Sequence, residues 1–296
     1  MERFVAEKLP VTIVEGIKAF CDERVSKLKS EIVCFNEVIR EDMLPLLDTQ
    51  CTILYYPTAD ADNNGFHKTY RYRGENIHFV YINTNQDIEK QIFTAAHELG
   101  HILRVDDYLK DHIGIELDFD LSERIMNRFA AELLMPEALF CKFLNIVYKE
   151  KEREAGGITV AAIIQIITKV MNEFYVPFKS VVYRMYELDY LDEDSAAILW
   201  SGTNTLPKRI IVDYSKKYAK EQGFLRLYNP DKKTHIAGLK ERLDLAREKS
   251  IAPEQWLNEF YNRFGLEQSD AEESLKEEIQ IAKSEETRNN AGESCD

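Results

Sequence analysis

The sequence predicts an α+β protein: a small antiparallel sheet packed on helices, with an additional helical region toward the C-terminus. Three observations carry that expectation. Residues 51–83 fall into three short β-rich runs separated by polar turn clusters. From about residue 86 the apolar residues recur mostly at helical spacing. Of 296 residues, 45% are apolar, with 15 Phe and 15 Tyr, enough to fill a core.

Residues 11–50 read as helical, with few turn signals. "CTILYYP" (51–57) is β-rich and ends at a proline, and "TADADNNGF" (58–66) is a turn cluster. "HKTYRYR" (67–73) alternates as a half-buried strand does. "RGEN" turns again before "IHFVYIN" (77–83). Short polar turns between consecutive strands suggest an antiparallel meander. Thr84 and Asp87 are spaced as a capping pair for the next helix. At about 100° per residue, Ile88, Ile92, Ala96, Leu99 and Leu103 form one buried stripe, so that helix runs to about Arg104. "LKDHIGIELD" (109–118) is loop-like. A second helix covers about 121–134 and stops at Pro136, and another covers 137–150 before a break in "EREAGG" (152–157). Residues 159–172 and 178–189 are two helices around "FYVP", a helix-turn-helix outline that is by itself an ordinary packing unit. Residues 201–265 alternate turns with amphipathic helix. Trp256, Phe260 and Phe264 recur every four residues, a stripe read here as core rather than partner-gripping. Residues 266–296 form an acidic polar tail, helical over "AEESLKEEIQIAKSEE".

Charge and cysteine usage exclude several functions. A formal net charge of -14 repels phosphates, so neither nucleic acid nor an anionic membrane is the expected partner. The segment from Pro207 to Arg242 is the local exception, with ten Lys/Arg against four Asp/Glu. It reads as a solvated helical face or a docking patch for an acidic partner. Five scattered cysteines without CxxC spacing fit free thiols in a reducing cytoplasm. The first residues, "MERFVAEKLP", lack the apolar core of a signal peptide, and no apolar run approaches a membrane span.

The chemistry is concentrated in "FTAAHELGHIL" (93–103). On a helix His97 and His101 lie one turn and about 40° apart, so two imidazoles can hold one zinc ion. Glu98 lies about 60° from His101. It is out of easy reach of the metal but within reach of water activated by it. That is the arrangement of a metallopeptidase, in which a carboxylate takes the water proton and passes it to the leaving amine. Gly100 leaves room for either a substrate or a tightly packed helix.

A catalytic zinc takes a third protein ligand. His112, in the loop-like segment, is one candidate; carboxylates in "SERIMNRFAAELLMP" are better ones. Glu123 shares a face with Asn127, whereas Glu132 lies about 180° from Glu123, so only one of the two can face the histidines.

"FVYINTNQDIEKQIFTAAHELGHIL" followed by "ERIMNRFAAELLMP" resembles the ImmA/IrrE family of metallopeptidases. The family pattern E-x-x-A-N-x-F-A-A-x-L-L-M-P falls on Glu123, Asn127 and residues 129–136, with Met126 where the family usually has alanine. The resemblance covers about residues 50–190, including "VPFKSVVYRMYEL" (176–188). Outside it lie a helical segment at 1–50 and an accessory region at 201–265. The resemblance implies a zincin-like core over 51–150, which the helix-turn-helix-shaped segment at 151–200 completes. It further implies Glu98 as catalytic base and His97, His101 and Glu123 as ligands of Zn2+, with Mn2+ compatible with the same donors. The implied partner is a helix-turn-helix repressor or antitoxin that is cut. The alternative is a catalytically silent module that binds a partner. Tyr183, Arg184 and His112 are candidates to stabilise the oxyanion, each with a structural reading as well.

Overall fold

Strand β3, Glu75–Asn83, changes character along its length: its first residues are exposed, and Val80, Tyr81, Ile82 and Asn83 are buried. A strand end buried on both faces belongs inside a sheet. In the computed structural model β3 is flanked by β1, Thr52–Tyr56, and β2, Gly65–Tyr72. The structure describes residues 4, 7–31, 37–60, 62–72, 74–155, 158–236 and 238–266. β2 pairs with β3 in an antiparallel hairpin, but β1 pairs with β3 in parallel, Ile53 opposite Val80. The sheet is therefore mixed, and the expected antiparallel meander is corrected.

The chain leaving β1 must cross the end of β3 to start β2 on the far side. The buried side chain of Asn83 holds that crossing. Its Oδ1 accepts from the Thr58 N–H, and its Nδ2 donates to the carbonyls of Asp60 and Asn63. The turn cluster read at 58–66 is thus a crossover pinned by one amide, which supplies partners that backbone alone would lack.

Helix α1, Val11–Phe20, continues through a π-helical turn into α2, Ser26–Glu31, and α3 is Met43–Asp48. Helix α4, Ile88–Leu103, buries Ile88, Ile92, Ala95, Ala96 and Leu99. Asp87 stands at its start but makes no side-chain cap, and Thr84 Oγ1 donates instead to the Lys233 carbonyl, so the expected capping pair does not form. The α4 register ends at Arg104, which takes a left-handed conformation (φ 56°). A further helix follows at once, α5, Val105–Ile113, where a loop was expected. Val105 and Leu109, four apart, are buried, and Leu109 lies against Gly16 of α1, where a Cβ would come within 2.5 Å of it. Packing of that short apolar pair, not capping chemistry, makes the segment helical.

Helix α6, Phe119–Leu134, starts at Asp118, whose carboxylate caps the Leu121 N–H. It crosses α4 closely because Gly100 lacks a side chain: a Cβ there would lie 2.8 Å from Met126 Sδ and 2.9 Å from Phe129. Gly100 therefore serves helix packing. α7, Glu137–Ala155, outruns the expected 137–150. α8, Val160–Phe174, and α9, Phe178–Glu187, bury most of their apolar residues, the packing-unit reading of the helix-turn-helix outline. α10, Glu193–Ser201, and α11, Lys208–Glu221, complete the helices of this part.

Two compact units result, Met1–Thr234 and His235–Asp296. The second contains a two-residue strand β4, His235–Ile236, and helices α12, Leu239–Glu248, and α13, Glu254–Phe264. Its small core is Leu243, Leu257 and Tyr261. Trp256 is 62% exposed and Phe260 44%, so the stripe read as core lies on the surface, and the neighbouring positions of α13 are the buried ones. The expected helix in the acidic tail lies outside the described residues. No helix among the described residues is long and apolar enough to cross a membrane. Among them Cys21, Cys51 and Cys141 are free. Burial pushes the Cys21 and Cys51 thiols up to about 12, which leaves them protonated and unreactive.

Candidate metal centre

The α4 stripe that faces the core turns the opposite arc toward α6, and three side chains converge there. His97 Nε2 lies 3.2 Å from His101 Nε2. Glu123, from the first half of α6, places Oε2 3.3 Å from His97 Nε2 and Oε1 3.3 Å from His101 Nε2. A tetrahedral ion about 2.1 Å from each donor holds its ligands roughly 3.4 Å apart. His97, His101 and Glu123 thus each bring a ligand atom close enough to the others to hold one metal ion, with one Glu123 oxygen turned toward each ring.

A further contact fixes the ring that matters most. Asn127 Oδ1, which can only accept, lies 3.0 Å from His97 Nδ1. The proton of neutral His97 is therefore on Nδ1, and the Nε2 lone pair faces Glu123 and His101. Asn127 lies one turn beyond Glu123, so a single face of α6 supplies both the carboxylate and the group that orients the first histidine.

Burial and the charges of the cluster on one another set its electrostatics. Burial pulls the His97 ring down, but its hydrogen bond to Glu123, the charges of Glu98 and Glu123, and Asn127 together raise it. Burial and the neighbouring His97 lower His101. The His97 hydrogen bond, helped by both ring charges, holds Glu123 below the usual carboxylate range despite burial. Glu98 is 7% exposed, and burial pushes its carboxyl up to about 7, with His97 lowering it and Glu123 raising it. A carboxyl tuned to that range exchanges a proton readily at neutral pH.

Glu132 lies on the far side of α6. Its Oε2 accepts from Arg128 at 2.9 Å and from Arg184 at 2.8 Å. Both arginines also approach Glu187 at 3.3 Å. All four side chains are at most 10% exposed, so this is a buried charge network within the fold. Arg184 belongs to that network and is 1% exposed, which keeps it from an oxyanion. Tyr183 donates to the Glu7 carbonyl, and His112 hydrogen-bonds the Tyr108 carbonyl while stacking on the Tyr108 ring.

Sequence reasoning gave no role to His67 or His78. The structure stacks the His67 ring on His101, with centroids 6.3 Å apart, and sets His78 beside His67. The available signal was alternation in "HKTYRYR": His67 and Thr69 share one face of their strand. Which helix that face meets cannot be read from the strand itself.

The model of the Peptidase_M78 family, described as the IrrE N-terminal-like domain, matches residues 48–186. No curated protein matches the chain. Among solved structures, a Mycobacterium tuberculosis transcriptional regulator aligns at 11% identity with a TM-score of 0.33. The alignment covers 60% of this chain and 52% of that one, so the chain spans about half of that protein's length.

Proposed function

Through residues 48–186 the chain belongs to the Peptidase_M78 (ImmA/IrrE) family, and from that premise we propose that it is a zinc-dependent endopeptidase acting on a specific protein. The family gives a metallopeptidase-like fold and points to a protein substrate. The observation that carries the reading is the His97–His101–Glu123 cluster with a buried carboxyl, Glu98, on the same helix.

Zinc on those three donors would supply a Lewis acid for the scissile carbonyl and bring the pKa of water toward neutrality. Manganese suits the same ligands. His97 and His101 present ring nitrogens from successive turns of α4, and Glu123 adds one negative charge. Asn127 holds His97 in its binding tautomer. Glu98 takes the proton of the attacking water and returns it to the departing amine. The short helix-to-helix distance set by Gly100 keeps Glu123 against the histidines.

The target we propose is a helix-turn-helix repressor or antitoxin. The resemblance to the ImmA/IrrE family supports this, as does a net charge of -14, which attracts a basic DNA-binding protein. The test compares the native protein with Glu98→Gln on a candidate helix-turn-helix repressor from the same cell and on casein. Cleavage of the repressor at one or a few bonds is expected, with cleavage by Glu98→Gln reduced about 100-fold or more and its zinc content unchanged. Unimpaired cleavage by Glu98→Gln would remove the general-base role. Rapid casein digestion with no preference for the repressor would remove the selective-protease reading.

A further inference from the structure

Four of the chain's six histidines form one continuous row: His97, His101, His67 and His78. The first two belong to the centre described above. The other two come from the β2–β3 hairpin, where Thr69 stands directly opposite His78 in the register and His67 precedes Thr69 by two residues. Alternation along a strand puts all three side chains on one face.

We propose that His67, His78 and Thr69 form a second binding site for a divalent transition-metal ion, at the border of the first. His67 Nε2 lies 3.1 Å from His78 Nδ1, and Thr69 Oγ1 lies 2.8 Å from the former and 3.0 Å from the latter. Three donor atoms thus make a triangle with edges of 2.8 to 3.1 Å. In the first centre the two ring nitrogens lie 3.2 Å apart, and each lies 3.3 Å from its own oxygen of Glu123. Ligands about 2.1 Å from one ion stand roughly 3.0 Å apart on an octahedral face and roughly 3.4 Å apart in a tetrahedron.

Hydrogen bonding alone explains the triangle less well. A neutral imidazole nitrogen either donates or accepts, never both. The three short edges therefore share at most two well-placed protons, whereas a cation uses a lone pair from every corner. Two imidazoles select zinc, copper or nickel over magnesium and calcium, and Thr69 with water fills the remaining positions. An ion there would tie β2 to β3 and stiffen the strand whose His67 stacks on His101. The inference concerns metal stoichiometry and holds whether or not the protein cleaves a substrate.

The experiment is equilibrium dialysis of the full-length protein against graded free Zn2+, with bound metal measured per chain. Native protein is expected to take up a second ion after the first. His78→Ala loses only the second, and Glu123→Ala loses the first while keeping the second. Thermal melts show whether the second ion raises the melting temperature in the native protein and not in His78→Ala. Saturation of the native protein at one ion overturns the proposal, as does retention of the second ion by a folded His78→Ala. A further measurement needs no variant: the second equivalent of Zn2+ shifts the ring-nitrogen signals of His67 and His78 in the 15N-labelled native protein. Unmoved signals for those rings also overturn it.

Discussion

Two glutamates nine residues apart on one helix should fail in opposite ways. Glu132→Ala removes the carboxylate shared by Arg128 and Arg184, which are 3% and 1% exposed. Glu187 alone then faces two buried guanidinium groups. Breaking a buried pair by deleting one partner costs about 3–5 kcal/mol, because a charge is left uncompensated away from water. Against a typical stability of about 5–15 kcal/mol this is a large share, and it corresponds to a fall of about 10 °C in Tm. Glu123→Ala removes a side chain that is 35% exposed and whose neighbours can be solvated, so the metal-free fold should change by about 0.5 kcal/mol. Metal binding should respond the other way. Glu123→Ala loses zinc, and whatever Glu132→Ala protein remains folded retains it. The assay is urea unfolding of the metal-free proteins beside zinc content after dialysis. Glu132→Gln, which keeps an acceptor oxygen without the charge, should fall between native and Ala in stability. Zinc loss in folded Glu132→Ala with zinc retained in Glu123→Ala would show that the orientation of α6 is wrong. A Glu132→Ala protein as stable as native would refute the buried-charge argument.

Three other perturbations test separate parts of the fold. Glu89, on the first turn of α4, is 1% exposed, and burial pushes its carboxyl from 4.5 to about 7, partly offset by backbone N–H groups including that of Tyr228. A raised carboxyl favours the folded state while it keeps its proton. That contribution is complete below about pH 4.5 and is lost as pH rises to about 7, amounting to about 3 kcal/mol. Glu89→Gln should therefore be more stable than native at pH 8 and nearly equal at pH 4.5 in denaturant titrations; identical pH profiles would contradict this. Gly100→Ala gains about 1 kcal/mol of helix propensity but drives a methyl into Met126 and Phe129. Overpacking costs about 1–3 kcal/mol, so a net loss of about 1 kcal/mol and weaker zinc binding are expected from unfolding and dialysis. Deletion of residues 235–296 removes the second compact unit, with its exposed Trp256 and Phe260, and should leave zinc content intact while abolishing or deregulating cleavage of the cognate repressor. Unchanged rate and selectivity in the truncated protein would leave that unit without a role in recognition.

The sequence by itself determined what depends on neighbours along the chain. Spacing of four on a helix places His97 and His101 on one face, and the same geometry separates Glu123 from Glu132 by half a turn of orientation. It also foretold the helix ending near Arg104 and the α6 stop before Pro136. Tertiary structure decided everything that joins distant segments. The β1 strand reads the same whether it pairs parallel or antiparallel, and its parallel place beside β3 rests on the buried Asn83 amide holding the crossover. The α5 helix has too short an apolar pattern to announce itself and forms because Val105 and Leu109 find a partner surface. The Trp256 and Phe260 stripe had helical period, but period does not say which of two apolar faces the small α12–α13 core will take. His67 and His78 carry no local sign of their position, because their neighbour His101 lies beyond the sheet in sequence and reaches them only when the hairpin packs on α4. Helical phase is set by rise and rotation per residue, whereas strand order and helix-on-sheet contact are set by which surfaces exclude water together.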